Sequence, residues 1–179
     1  QGSTVTGQIV RAGIDAEPVH SMGQLIWRYH PGTRDFEVFA EGGGNTFGLE
    51  IDDKGRIFSG HNGGDTRGFH YVQGAYDRKG FEKHGALSNP YAFGYFPAMR
   101  HHSAARFTHN YVIYGGATLP AQYHGRLFGI EPLQGQIVQS HFRPDTTTFQ
   151  TEDIDRPVEC SDQWFRPVDI KVGPDGAIY

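Results

Sequence analysis

Cysteine is almost missing from this chain: Cys160 is the one thiol among 179 residues. A single thiol excludes an internal disulfide, a cysteine-built zinc site and a CxxCH haem attachment within these residues, and it sets no redox compartment. No apolar run approaches the ~20 residues that a membrane-spanning helix needs, and mean hydropathy is −0.53. Neither sign of charge dominates. The net charge of −4 leaves no basic footprint for nucleic acid. The N-terminus lacks a positive segment followed by an apolar one, and the sequence stops inside a strand at Tyr179. An unpaired edge strand is aggregation-prone, so the chain reads as a fragment truncated at its C-terminus.

Glycine is abundant at 25 residues and aromatics reach 13%, a composition of short strands joined by tight turns. Organisation shows first in 44–58 (GNTFGLEIDDKGRIF), whose pattern returns in 166–179 (RPVDIKVGPDGAIY). Leu49 falls on Ile170, Ile51 on Val172, Gly55 on Gly176, Ile57 on Ile178 and Phe58 on Tyr179. Each copy is a short strand, a polar turn and a second strand entered through glycine, hence a β-hairpin written twice. The copies lie about two periods apart if the unit is a four-stranded propeller blade of ~40–60 residues with its loops. Gly125–Phe128 stands near the midpoint, and the segments from Gly23 and Gly135 each lead through a proline turn to another strand. The expected fold is all-β: one partial β-propeller domain over 1–179, of roughly three four-stranded antiparallel blades, short of a closed ring.

Between 74 and 106 the period fails, and the residues read as an ordered insertion because Phe81, Tyr91, Phe93, Tyr95 and Phe96 supply apolar area. With both ends on one side, it is expected to pack over the functional face. The expected core is Leu49, Ile51, Ile57, Phe58, Val112, Leu127, Phe128, Ile137, Val168 and Ile170.

Strands alternate in direction within a blade, so loops sort onto two faces. One face collects Asn45, His61, Asn62, Asp65, Arg67, His101, His102, Glu131, Asp162, Trp164 and Arg166, the residue mix of a polar ligand or cofactor pocket. The loop 59–68 (SGHNGGDTRG) is the most informative stretch. Its glycines let the backbone fold closely while it presents a base, a carboxylate and a guanidinium. His61 and Asp65 are the catalytic candidates; Asn45, Asn62, Arg67 and Arg166 are the cofactor-binding ones. No metal site is expected, since adjacent His101 and His102 point apart on a strand. Asp153 and Asp155 alternate as calcium ligands can, but they read rather as solvated loop acids.

The segments GNTFGLEIDDKGRIFSGHNGGDTRGFHY, KHGALSNPYAFGYF, LPAQYHGRLFGIEPL and DQWFRPVDIKVGPDGAIY together resemble a family of planctomycete and verrucomicrobial secreted proteins. These are the PVC-type haem-binding CxxCH proteins, or membrane-bound dehydrogenases. The resemblance implies an N-terminal propeller similar to soluble glucose and sorbosone dehydrogenases, followed by helical repeats and a c-type cytochrome domain. It implies a periplasmic or extracellular location, a sugar or polyol substrate, pyrroloquinoline quinone, and a haem domain outside this chain as electron partner; calcium is a candidate cofactor apart from the resemblance, on a third reading as a hydrolase of the lactonase-propeller kind. On the dehydrogenase reading His61 is the base towards the substrate hydroxyl. The second reading is a non-catalytic propeller binding carbohydrate or a protein through the same face.

Overall fold

The computed structural model describes residues 6–44, 46, 48–61, 65–80, 87–89, 91–102 and 110–179. Apart from one 3₁₀ turn at Ala121–Tyr123, the regular elements among them are strands in separate sheets, none of which closes on itself. β1 (Gly7–Ile9) pairs with β2 (Val19–Ser21) as a two-stranded ribbon. The hairpin expected from 23 to 40 is present. β3 (Leu25–His30) runs antiparallel to β4 (Asp35–Gly43) across a turn where Arg34 takes φ +63°.

β5 (Glu50–Ile51), β6 (Ile57–Gly60) and β7 (Gly68–Tyr71) form a three-stranded antiparallel sheet. The 74–106 segment is more regular than its sequence suggested. It supplies β8 (Ala75–Lys79), β9 (Gly94–Tyr95) and β10 (Arg100–His101). β8 lies parallel to β4, and β9 parallel to β8, so this sheet departs from the all-antiparallel blade expected. The reason is local: the second half of β4 is Glu-Gly-Gly. A Cβ on Gly42 would sit 2.6 Å from that of Asp77, so only a bare backbone lets β8 approach.

β11 (Tyr111–Ile113), β12 (Leu127–Glu131), β13 (Gln136–Asp145) and β14 (Thr148–Glu159) make the expected four-stranded antiparallel run, with β10 added in parallel along β14. All five residues of β12 are buried. Leu127 packs with Phe58, Met99 and Phe149 on one side, while Phe128 packs with Val112, Tyr114 and Ile170 on the other. Covered on both faces, the strand carries apolar side chains to either side at Leu127 and Phe128 and ends on the buried Glu131.

The duplicated hairpin keeps one register in both copies. Ile51 pairs with Ile57 as Val172 pairs with Ile178, and Glu50 opposes Phe58 as Lys171 opposes Tyr179. Each turn closes by a glycine N–H donating to a carbonyl three residues back, from Gly55 to Asp52 at 3.0 Å and from Gly176 to Gly173 at 2.9 Å. Core membership departs from expectation in part of this hairpin. Phe58, Val112, Leu127, Phe128 and Ile170 are buried, Ile57 and Ile137 half-buried, but Leu49, Ile51 and Val168 are exposed. Across β5 it is Glu50 that turns inward, because its carboxylate accepts the Ile113 N–H at 3.2 Å and so satisfies the edge of β11. Of the insertion's aromatics, Tyr91, Phe93 and Tyr95 are exposed and Phe96 is half-buried, while Phe81 lies outside the described residues. The insertion's end does dock, with Met99 buried and its N–H donating to the Gly68 carbonyl.

Candidate functional site

His61 follows directly on β6, and Arg67 stands just before β7, so the β6–β7 connection delivers both. The two strands meet at Gly60 and Gly68, where a Cβ on Gly68 (φ +143°) would lie 1.9 Å from the Ser59 carbonyl oxygen. That approach fixes both ends of the loop. His61 is 9% exposed and its ring stands edge-on to Phe69 with centroids 5.6 Å apart. Its Nε2 lies 3.6 Å from Asp65 Oδ1, and Asp65 Oδ2 accepts from Arg78 at 2.8 Å. Burial lowers the His61 pKa more than Asp65 raises it, so the imidazole is neutral at physiological pH and has a lone pair to offer. Burial pushes Asp65 up, but Arg78 outweighs it and holds the carboxylate below its ordinary value, ionised.

Two of the four described candidates are therefore brought together. Arg67 turns the other way: it is 1% exposed and donates to Asp153, which also accepts from Ser140 Oγ at 2.8 Å. His101 completes that network, with Nε2 3.8 Å from Asp153 and Nδ1 2.8 Å from Thr151 Oγ1. Burial and the adjacent Arg67 charge push the His101 pKa down to about 4, so it too is neutral. Asp153 and Asp155, read as loop acids, lie within β14, and Asp153 serves Arg67. Arg166 is exposed and donates to the carbonyls of Pro132 and Leu133 at 2.7 and 2.9 Å. Asn45 and Asn62 lie outside the described residues.

A second polar cluster went unread in the sequence. Glu41 is fully buried, accepts the Asn89 N–H at 3.0 Å and pairs with Lys79 at 3.4 Å. Asp77 is 3% exposed, and neither carboxylate oxygen has a hydrogen-bond partner among the described residues. Burial pushes its pKa up to about 8. The signal was the alternation of Ala75–Lys79, which puts Asp77 and Lys79 on one face of a five-residue strand.

A carboxylate-bearing quinone needs free cations, and the two arginines proposed to hold it are engaged elsewhere, Arg67 by Asp153 and Arg166 by two carbonyls. Arg67 as placed, paired with Asp153, does not fit pyrroloquinoline quinone, while Arg166 keeps an exposed charge. Among the described residues no group of three or more His, Cys, Asp or Glu side chains is placed to hold a metal ion. No helix among them is long and apolar enough to cross a membrane.

Comparison with known proteins identifies a family by its sequence pattern. Residues 2–179 match the model of a domain of unknown function, DUF7133. The chain belongs to the DUF7133 family. No curated protein gives a significant match. Among solved structures, the chain resembles a crystal structure from Thermus thermophilus, described as a "putative oxidoreductase (glucose dehydrogenase)". The TM-score is 0.54 at 18% identity, over 79% of this chain and 39% of that one. At that identity the likeness speaks for the fold alone. This DUF7133 chain spans well under half of that protein's length.

Proposed function

We propose that this DUF7133 domain is the propeller part of a dehydrogenase-like protein and that His61 with Asp65 receives the hydroxyl of a sugar or polyol. The observation that carries the reading is the geometry of that pair. A largely buried, neutral imidazole has its Nε2 3.6 Å from a carboxylate that stays ionised through Arg78. His61 Nε2 accepts the hydroxyl proton, and the Asp65 carboxylate beside it stabilises the imidazolium that forms. The similarity in fold to a protein described as a glucose dehydrogenase supports the substrate class.

The sheets are taken as blades of a partial propeller, roughly three in number. The resemblance to PVC-type haem-binding proteins supports a c-type haem domain elsewhere on the polypeptide as electron partner, and a periplasmic or extracellular location. No step is drawn through a quinone, and calcium has no described ligand set. Engagement of Arg67 by Asp153 favours a second reading, a propeller that binds carbohydrate without oxidising it.

Sugar-dependent reduction of dichlorophenolindophenol by the full-length protein tests the choice. A wild-type protein that turns over a sugar, and a His61→Asn variant that folds but does not, is the expected result. Unchanged turnover in His61→Asn removes His61 as base. A wild-type protein that binds sugars but reduces no acceptor establishes the second reading.

A further inference from the structure

The His61–Asp65 pair continues into a surface that no role has been assigned. Along β8 burial alternates, with Ala75, Asp77 and Lys79 inside and Tyr76 and Arg78 half-exposed on the opposite face. Residues two apart on a strand share a face about 7 Å apart. Tyr76 is registered against Tyr95 of β9, so the two rings share that face, their centroids 5.7 Å apart and inclined at 58°. Tyr95 is 60% exposed. Arg78 then meets Asp65 at 2.8 Å, and Asp65 meets His61 at 3.6 Å. The order along this surface is Tyr95, Tyr76, Arg78, Asp65, His61: two aromatic rings, then a donor, an acceptor and a base.

We propose that Tyr76, Tyr95 and Arg78 form a sugar-ring platform beside His61, which selects a cyclic pyranose over an open-chain polyol. The inference rests on the sugar or polyol reading of the His61–Asp65 pair and narrows it. Three features select the ligand chemistry. Exposed phenol rings offer flat apolar area to a ligand face that carries C–H groups. The adjacent Arg78–Asp65 pair places donors beside an acceptor, which suits vicinal hydroxyls that both donate and accept. Asp65 also cancels the charge of Arg78, so an anion gains nothing there, and a purely apolar ligand would leave both groups desolvated and unpaired. A pyranose has a C–H face and a hydroxyl rim fixed in one geometry. The matching alditol has the same hydroxyls on a chain that must be ordered on binding, and no fixed face.

Saturation-transfer NMR and calorimetry on the full-length protein provide the test. The probes are methyl β-D-gluco-, galacto- and mannopyranoside, each set against its alditol: sorbitol, galactitol and mannitol. At least one pyranoside should bind about tenfold more tightly than its alditol, with saturation strongest at ring C–H protons. Tyr95→Ala and Tyr76→Ala should each weaken that binding about tenfold, whereas Tyr95→Phe, which keeps the ring, should not. Equal binding of pyranoside and alditol, unchanged affinity in both alanine variants, or binding of neither probe class overturns the platform. Tyr95 is exposed, so an unchanged melting temperature separates lost binding from lost fold. Acceptor reduction tells the two ideas apart. Turnover that ignores Tyr76 and Tyr95 leaves the dehydrogenase reading and removes the platform, and tyrosine-dependent binding without turnover does the reverse.

Discussion

Arg67 donates to Asp153 across 86 positions of chain, joining the loop before β7 to the middle of β14. The guanidinium is 1% exposed and the carboxylate 14%. The pair therefore ties the three-stranded sheet to the five-stranded one where little water can substitute for either partner.

Removing one partner should accordingly be costly. Arg67→Met leaves Asp153 unpaired, and we expect a loss of about 3–5 kcal/mol in urea unfolding. The double variant Arg67→Met/Asp153→Leu, which removes both charges, should recover much of it. A single variant within about 0.5 kcal/mol of the parent would show that the pair contributes nothing net.

Acid should destabilise the fold in a defined window. Burial lowers the pKa of His61, His70 and His101, the last to about 4. Unfolded histidines bind protons near pH 6.5, where these folded ones do not. The stability they allow is present above that pH and lost as pH falls from about 6.5 towards 4. His101→Gln should flatten part of this slope in melting temperature measured against pH. An unaltered slope would put the acid sensitivity elsewhere.

Asp77 works in the opposite sense. Its folded pKa is raised to about 8, so the folded protein holds a proton that the unfolded one releases near pH 4. Its stabilising share is complete in acid and lost as pH rises from about 4 to 8. Asp77→Asn mimics the protonated acid and should gain in melting temperature relative to wild type as pH approaches 8. If the two proteins keep a constant difference from pH 5 to 8, Asp77 does not titrate there.

The two hairpin glycines should respond unequally. Gly55 and Gly176 take φ +73° and +80°, so alanine at either costs about 1–2 kcal/mol of backbone strain. A Cβ at Gly55 meets nothing within 4 Å, whereas at Gly176 it lies 2.8 Å from Thr118 Oγ1. Gly176→Ala should be the more damaging in chemical denaturation, and equal losses would mean that the Thr118 side chain and the Ala117–Thr118 backbone both give way at little cost.

What could be read from the letters was mostly local. Turn chemistry and alternation around Gly55 and Gly176 specified both hairpins and their register, because a glycine turn and the strands it joins lie within a few residues. Leu49 and Ile51 misled, since the choice of face in β5 was made by the edge of β11, more than 60 residues on, to which Glu50 bonds. β8 was missed because its partner β4 lies far back in the sequence and the pairing is parallel, which no turn announces. At the candidate site, the loop that brings His61 near Asp65 is short and glycine-rich, so their meeting was legible. The departure of Arg67 was not, because Asp153 comes from a distant strand.

Two of the three parallel pairings among the described residues, β4–β8 and β10–β14, also bear on the order in which the chain can assemble during synthesis. Glu41 of β4 waits for Tyr76 before its outer edge is covered, and Arg100 of β10 waits for Gln150. A nascent chain emerging at about 5–20 residues per second therefore holds each of these strand edges open for some seconds. Closing such long loops costs entropy that only the finished pairing repays, which makes this a slow-folding topology. The Arg100 edge, open for longer, is where a chaperone would find most to hold.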